Sequence, residues 1–225
     1  MKCWNCQNAL DEVIICGRCG MPQMVGSFNP FGILNIPPRL HWDEGGVRTA
    51  YERLALRCHP DLFRAHRDER VLSAASSAMR AINDAFREIR EPVRRLRYVL
   101  AAVGQTQGAT RTVPASLQDS VQIIERVLTT VDEARKAGDR VAWEGEQDHL
   151  ASLLVKIEKA RERTAETMRA LVSEWDGGVE SANNDWPDMS EDWMNRAMTW
   201  AGEREYLDSM INRVEEAGRP PEESE

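Results

Sequence analysis

The sequence predicts a mainly α-helical protein with a small cysteine-rich module at its N-terminus, a helical hairpin in the middle and a three-helix bundle near its C-terminus. Three observations predict this fold class. Apolar residues make up 42% of the 225 residues and charged residues 29%, which is typical of globular chains. Ala, Leu, Arg, Glu and Met outnumber the residue types that favour strands. Long segments repeat apolar residues at helical spacing.

Four cysteines near the N-terminus stand in two pairs. Two residues separate Cys3 from Cys6 and Cys16 from Cys19, and nine residues lie between the pairs. Each pair can direct two thiolates at one ion from a tight turn, and two such turns supply a tetrahedron of sulfur ligands. We therefore predict a zinc-ribbon-like module over residues 1–28 with one structural zinc ion. An iron centre or redox-active dithiols are the alternatives.

The cysteine pattern also indicates a cellular compartment. The module is too short to bury a core of its own, so we expect it to fold only with metal bound. Cys58 falls on an apolar helical face and is expected to be a small buried residue. Four cysteines in tight pairs and a fifth in a helix are more typical of a protein in a reducing compartment than of a disulfide scaffold. With neither a secretory signal nor a membrane-spanning run in the sequence, we expect a cytoplasmic protein.

Residues 29–104 are predicted to form a helical hairpin and a further helix. The apolar residues of the first helix share one face: they are Val47, Ala50, Tyr51, Leu54 and Cys58. Pro60 ends this helix, and a loop beginning at His59 leads to a second helix from about Asp68 to Ile89. The apolar faces of the two helices can pack together. The further helix starts at Pro92, because proline suits the first helical position.

Residues 105–217 are predicted to form an acidic three-helix bundle. Its first helix carries apolar residues from Leu117 to Val131, and a long second helix carries them from Leu150 to Leu171. A third runs from Trp193 to Val214, after a loop over residues 176–188 that contains paired glycines and paired asparagines. Trp193 and the other tryptophans of this part are expected in the core, and a client surface formed by Trp186 and Trp193 is the alternative.

The charge differs between these two parts. Residues 29–104 hold 13 basic and 9 acidic residues, whereas residues 105–225 hold 14 basic and 26 acidic ones. The basic part either is a solvated surface or docks an acidic partner. A nucleic-acid site is disfavoured because the net charge of the chain is −8. Residues 218–225, which contain two prolines and three glutamates, are predicted to be a disordered tail.

A His-Pro-Asp tripeptide, His59 to Asp61, lies between the two helices of the hairpin. Arg48, Arg53 and Arg57 precede it on the polar part of the first helix. A tripeptide alone is a weak signal, but its place after a basic helix and before a second helix is specific. At these residues the chain resembles the J-domain family of co-chaperones.

The resemblance implies a partner and a role for each of these residues. In the family, the loop and the basic helix dock on the ATPase module of a DnaK-type chaperone and stimulate its ATP hydrolysis. Asp61 would make the charge contact that triggers the partner, while His59 and Pro60 would fix the shape of the loop. The three arginines would supply the docking face. The chain itself would then not be an enzyme.

Further segments resemble the HscB type of J-domain protein. Phe31 to Pro38 is similar to the first helix of that family and its proline-containing exit, and Asn83 to Phe86 is similar to its Asn-Glu-Ala-Tyr segment. Glu91 to Gly104 looks like its Asp-Pro to Gly stretch, and some members carry a tetracysteine module. The resemblance implies that the C-terminal bundle binds an iron–sulfur cluster scaffold protein and delivers it to a DnaK- or HscA-type ATPase.

Other functions stay open at the level of the sequence. Val121 to Thr130 lacks several carboxylates that the family carries on the first bundle helix. The alternative is therefore a J-domain protein for a different client, or a general protein-folding co-chaperone. A zinc-ribbon nucleic-acid binder is the alternative from another class. The sequence also leaves self-association open.

Overall fold

The computed structural model describes residues 1–26, 29–42, 44–104 and 111–221. The end of the predicted tail, residues 222–225, lies outside them. The mainly α fold class is confirmed, and the chain forms two compact units. The first comprises Met1–Gly104 and Val172–Met189, and the second comprises Gln105–Leu171 and Ser190–Glu225. The division into residues 1–28, 29–104 and 105–217 stays a prediction.

The described residues form eight α-helices. In chain order they are α1 (Pro30–Leu34), α2 (Glu44–Cys58), α3 (Glu69–Arg90), α4 (Pro92–Ala102), α5 (Val121–Ala137), α6 (Arg140–Gly145), α7 (Gln147–Ser181) and α8 (Glu191–Ala217). Short 3-10 turns span Pro60–Phe63 and Ala115–Ser120. Among the described residues, no helix combines the length and the apolar character needed to cross a bilayer.

The N-terminal module is built from two turns of the same kind. The N–H of Gln7 donates to the carbonyl of Cys3 at 2.9 Å, and the N–H of Gly20 donates to the carbonyl of Cys16 at 2.8 Å. Both donor residues have a left-handed backbone, with φ of 60° and 68°, which glycine adopts without strain. Two isolated antiparallel bridges, Lys2 to Ala9 and Ile15 to Pro22, close the turns.

The predicted hairpin and the helix that follows it are confirmed. Asp68 caps α3 by accepting a hydrogen bond from the N–H of Arg70, and Pro92 is the first residue of α4. Helix α3 packs against α1, α2 and α4. Leu54 and Ile82 are fully buried. Cys58 is also buried, as predicted, and burial raises the pKa of its thiol to about 11.

The last turns of α7 belong to the first unit. The indole of Trp175 donates to the carbonyl of Pro38 at 2.6 Å, and the carboxylate of Asp176 accepts from the N–H groups of Leu40 and His41 at 2.7 and 2.9 Å. The predicted loop over residues 176–188 is therefore wrong for residues 176–181, which form the end of α7.

Gly178 is needed for close packing at this end of the helix. A Cβ at this position would lie 2.8 Å from the side chain of Pro187.

Arg95 is a charged side chain inside the first unit. It is 2% exposed, and it donates from Nε to the carbonyl of Ile89 at 2.7 Å and from Nη1 to the carbonyl of Leu40 at 2.6 Å. Burial lowers the pKa of this guanidinium to about 10, opposed by Glu91 and Asp176. Arg95 therefore joins the end of α3 to the segment that precedes α2.

The second unit is a bundle of α5, the first part of α7, and α8, with the short α6 added. Its core residues are Leu117, Ile124, Leu128, Val131, Leu150, Leu153, Ile157, Ala160, Leu207, Met210, Val214 and Ala217. Leu117 lies in the 3-10 turn before α5 and not in a helix as predicted. Buried Trp193 and Trp200 donate to the carbonyls of Leu171 and Thr164 on α7. The predicted core role of Trp193 is confirmed.

Replacing Arg95 with lysine should destabilise the first unit. Lysine keeps the positive charge, but a single ammonium group lacks the planar fork that serves both carbonyls. We expect a loss of about 1–3 kcal/mol, the cost of a buried polar group left without its partner. Urea denaturation followed by circular dichroism measures the effect. The exposed neighbour variant Arg94→Lys is the control, and equal stability of the two variants would contradict the role assigned to Arg95.

Candidate functional site

The four paired cysteines converge on one point in the N-terminal module. Their sulfur atoms all lie within 4.8 Å of one another. Cys3 Sγ is 3.6 Å from Cys19 Sγ, and Cys6 Sγ is 3.7 Å from Cys16 Sγ. A tetrahedral ion with sulfur ligands at about 2.3 Å would hold them about 3.8 Å apart. The four residues therefore fit a single metal ion.

The local hydrogen bonds favour thiolates but do not serve all four sulfurs equally. The side-chain amide of Asn8 donates to Cys6 Sγ at 3.2 Å and lowers the pKa of that thiol to about 6. At Cys16, backbone hydrogen bonds from Cys19 and Arg18 lower the pKa of the thiol. Burial and the neighbouring thiols raise it by more, so the pKa is about 11. Four clustered thiolates repel one another, so a cation at their centre is needed to keep all four ionised.

Side-chain amides surround the sulfur cluster. Besides Asn8, Asn5 donates to Cys19 Sγ at 3.7 Å, and Gln23 donates to Cys3 Sγ at 3.4 Å. Such donors orient sulfur ligands and stabilise their negative charge. Sequence analysis missed these three residues. The signal that could have found Asn5 and Asn8 is their position beside Cys6, where a turn directs short amide side chains back to the sulfur.

The His-Pro-Asp tripeptide forms an exposed turn between α2 and α3. His59 precedes the 3-10 turn Pro60–Phe63, and its Nδ1 accepts a hydrogen bond from the N–H of Asp61 at 3.3 Å. The side chains of His59 and Asp61 are 53% and 54% exposed. One carboxylate oxygen of Asp61 lies 2.8 Å from Arg64 Nη2. The turn therefore presents a carboxylate to solvent with its backbone fixed by the histidine ring.

The three predicted docking arginines are all exposed on α2 but do not form one continuous patch. Arg53 Nη2 donates to the carbonyl of Leu34 at 3.1 Å, and Arg57 Nη1 lies 2.9 Å from the carboxylate of Glu12. At 100° per residue, Arg48 is about 180° around the helix from Arg57. Arg53 and Arg57 therefore flank one side of the solvent-facing surface of α2, and Arg48 flanks the other.

Between these arginines the surface of α2 carries an exposed leucine. Leu56 is 77% exposed, and Leu62 in the following turn is 61% exposed. Together with Glu52, Ala55 and His59 they line an open groove of about 410 Å³. Sequence analysis missed this pair, although Leu56 stands outside the helical spacing of the core residues. The groove reaches His59, so it is continuous with the exposed turn.

Comparison with known proteins identifies relatives along most of the chain. A co-chaperone protein HscB homologue of Bordetella pertussis is 30% identical over 147 residues, which is 64% of this chain and 78% of the relative. An HscB homologue of Burkholderia multivorans is 28% identical over 155 residues, or 68% of this chain and 80% of the relative. No protein-family model matches the sequence.

Two solved structures share the fold. Chaperone HscB from Vibrio cholerae has a TM-score of 0.52 at 21% identity, covering 84% of this chain and 96% of that chain. Human co-chaperone protein HscB has a TM-score of 0.53 at 14% identity, covering 96% and 97%. The predicted resemblance is confirmed by the sequence relatives and by the fold. This chain belongs to the HscB family of co-chaperones.

Proposed function

We propose that this protein docks on a DnaK- or HscA-type heat-shock ATPase, stimulates its ATP hydrolysis and delivers an iron–sulfur cluster scaffold protein to it. The observation that supports this proposal best is the exposed His59-Pro60-Asp61 turn at the end of α2. Membership of the HscB family supports it independently. The chain acts as a helper protein, and the bond that is broken belongs to the nucleotide on the partner.

The exposed carboxylate of Asp61 is the group that we assign to the trigger. It can exchange its ion pair with Arg64 for a cationic group of the ATPase at little cost, because both side chains are more than half exposed. His59 and Pro60 hold the backbone of the turn, so the carboxylate needs little ordering when it binds. His59 is a positioning residue here and not an acid or base.

The surface of α2 gives the docking contact both charge and apolar area. Arg48, Arg53 and Arg57 attract an acidic surface over several ångströms and raise the association rate. Leu56 and Leu62 act only at contact distance, where an apolar side chain of the partner would remove them from water. The combination suits a brief encounter that is fast to form.

Replacing Asp61 with asparagine should abolish stimulation of the ATPase and leave the fold intact. Asparagine keeps the shape of the side chain and removes its charge, which is exposed. Single-turnover ATP hydrolysis by the partner measures the effect. Asp84→Asn is a matched control, because Asp84 is 55% exposed and pairs at 2.8 Å with an arginine three residues later, as Asp61 does. Stimulation by the Asp61 variant at the level of the parent protein would exclude the proposed trigger.

We further propose that the ion held by Cys3, Cys6, Cys16 and Cys19 is a structural zinc. Four thiolates fill a tetrahedral coordination sphere and leave no open position for a substrate. Zinc supplies the positive charge that allows four adjacent thiols to stay ionised and holds the two turns together. None of the five cysteines forms a disulfide, which supports the proposal of a cytoplasmic, reducing location.

Purified protein should contain one zinc ion per chain, and its removal should unfold residues 1–26 without unfolding the helices. The module is short, and besides its cysteines it buries few apolar residues, among them Ile14 and Ile15. Native mass spectrometry measures the metal, and NMR of the backbone amides reports on each part. A Cys58→Ser variant should keep the zinc, whereas Cys16→Ser should lose it. A coloured protein that contains iron, or four freely titratable thiols, would exclude zinc.

For the client, we propose that the scaffold protein contacts the second unit near the start of α5. Ile123 and Val155 are 52% and 50% exposed. Lys156, the residue after Val155 on α7, donates from Nζ to Oγ of Ser120 at 2.9 Å, three residues before Ile123. Exposed aliphatic side chains in an acidic unit fit an interface whose centre excludes water and whose rim is charged.

Ile123→Asp should weaken binding of the full chain to an iron–sulfur scaffold protein by at least tenfold, because it places a charge at an apolar contact. Isothermal titration calorimetry measures the affinity. Val141→Asp is the control, since Val141 is 81% exposed on α6 in the same unit. If the parent protein does not bind the scaffold at tens of micromolar, the client is a different protein. Equal binding by all three proteins would place the scaffold on another surface.

A further inference from the structure

The cysteine module contacts the helix to which we assign the docking surface. Glu12 lies in the spacer between the two cysteine pairs. Its carboxylate oxygens lie 3.2 and 2.9 Å from Nη1 of Arg57, which is two residues before the His59 turn. The side chain of Glu12 is 21% exposed, whereas that of Arg57 is 40% exposed. The module therefore places a carboxylate on an arginine that we assign to partner binding.

A second contact fixes the module on the hairpin. The guanidinium of Arg70, at the start of α3, lies 5.6 Å from the centre of the Trp4 ring, within the range of a cation–π interaction. Trp4 is held in turn, because its indole donates to the carbonyl of Pro22 at 2.8 Å. Contacts with both α2 and α3 fix the position of the module. The contact between Glu12 and Arg57 therefore follows from the packing of the module.

Glu12 and an acidic group of the ATPase would compete for the guanidinium of Arg57. While Nη1 is engaged by Glu12, the pair presents a nearly neutral surface, and an acidic group of the ATPase must displace Glu12 to bind there. Glu12 belongs to the chain, so its effective concentration at Arg57 is high and does not depend on dilution. It therefore acts as an intramolecular competitor.

We propose that Glu12 is an intramolecular competitor that weakens docking by occupying Arg57, and that its hold on Arg57 depends on the metal-bound turns of the module. This inference rests on the proposed docking of α2 on a heat-shock ATPase. The position of Glu12 is set by the two cysteine turns on either side of it. Loss of the metal frees the spacer, and Arg57 then becomes available to the partner.

The first test is a titration of the ATPase with metal-loaded, full-length protein. Glu12→Gln should reach half-maximal stimulation at about two- to fivefold lower concentration, the range expected for a partly exposed ion pair. Asp11→Asn is the matched control, because it removes the same charge one residue away from the contact and should change nothing. In an Arg57→Gln background, Glu12→Gln should have no further effect.

The outcomes separate this inference from the function on which it rests. If the parent protein stimulates the ATPase but Glu12→Gln has the same or weaker affinity, the competitor role is wrong and the co-chaperone function stands. An equal gain in the Arg57→Gln background also overturns it, since the effect would then be general charge. If the parent protein does not stimulate, both proposals fail.

The second test measures the contact itself without the ATPase. The side-chain Nε–Hε resonance of Arg57 should shift in Glu12→Gln and should shift in the same direction when a chelator removes the metal from the parent protein. Chelation of the Glu12→Gln variant should shift that resonance much less than chelation of the parent protein. If the Arg57 resonance of the parent protein does not shift when the metal is removed, the proposed link between the metal site and the docking helix is disproved.

Discussion

The apolar contact between α2 and α3 is the constraint on which the proposed docking site depends. Val47, Leu54 and Cys58 on α2 are buried, and so are the residues of α3 that face that helix. Two antiparallel helices that bury one face each must be joined by a reversal at the surface. Pro60 starts that reversal, because it cannot continue α2. The adjoining Asp61 is therefore driven into solvent by packing that does not involve Asp61 at all.

The parts of the fold with local signals could be predicted from the sequence. Asp68 and Pro92 mark helix starts by their own chemistry, and the apolar spacing of α2 and α3 indicates which faces meet. The end of α7 could not be predicted in this way. Gly177 and Gly178 favour a loop locally, but Asp176 accepts the N–H of Leu40, 136 residues earlier in the chain. A contact over that distance leaves no trace in local sequence.

In the candidate site, too, the features with local signals could be predicted and those set by distant contacts could not. The spacing of the cysteines identified the whole sulfur cluster, because each pair is a local turn with its own geometry. The sequence predicted Arg57 as a basic residue of the proposed docking helix, but it did not reveal that Glu12, 45 residues earlier, forms an ion pair with it. Nor did it show that Leu56 lies between the arginines, since exposure of a leucine depends on what else covers the helix.

The surface of α2 differs from that of a uniformly basic helix. A uniformly basic helix would bind any acidic surface, and its affinity would fall steeply with salt. On α2 the arginines flank a surface that carries the exposed Leu56, and Arg57 is paired with Glu12 of the cysteine module. In the docking contact that we propose, charge governs how often the partners meet, while the fit against Leu56 and Leu62 governs whether they stay. We therefore expect selectivity for one ATPase to come from the groove beside Asp61, where the shape of the surface decides and long-range attraction does not.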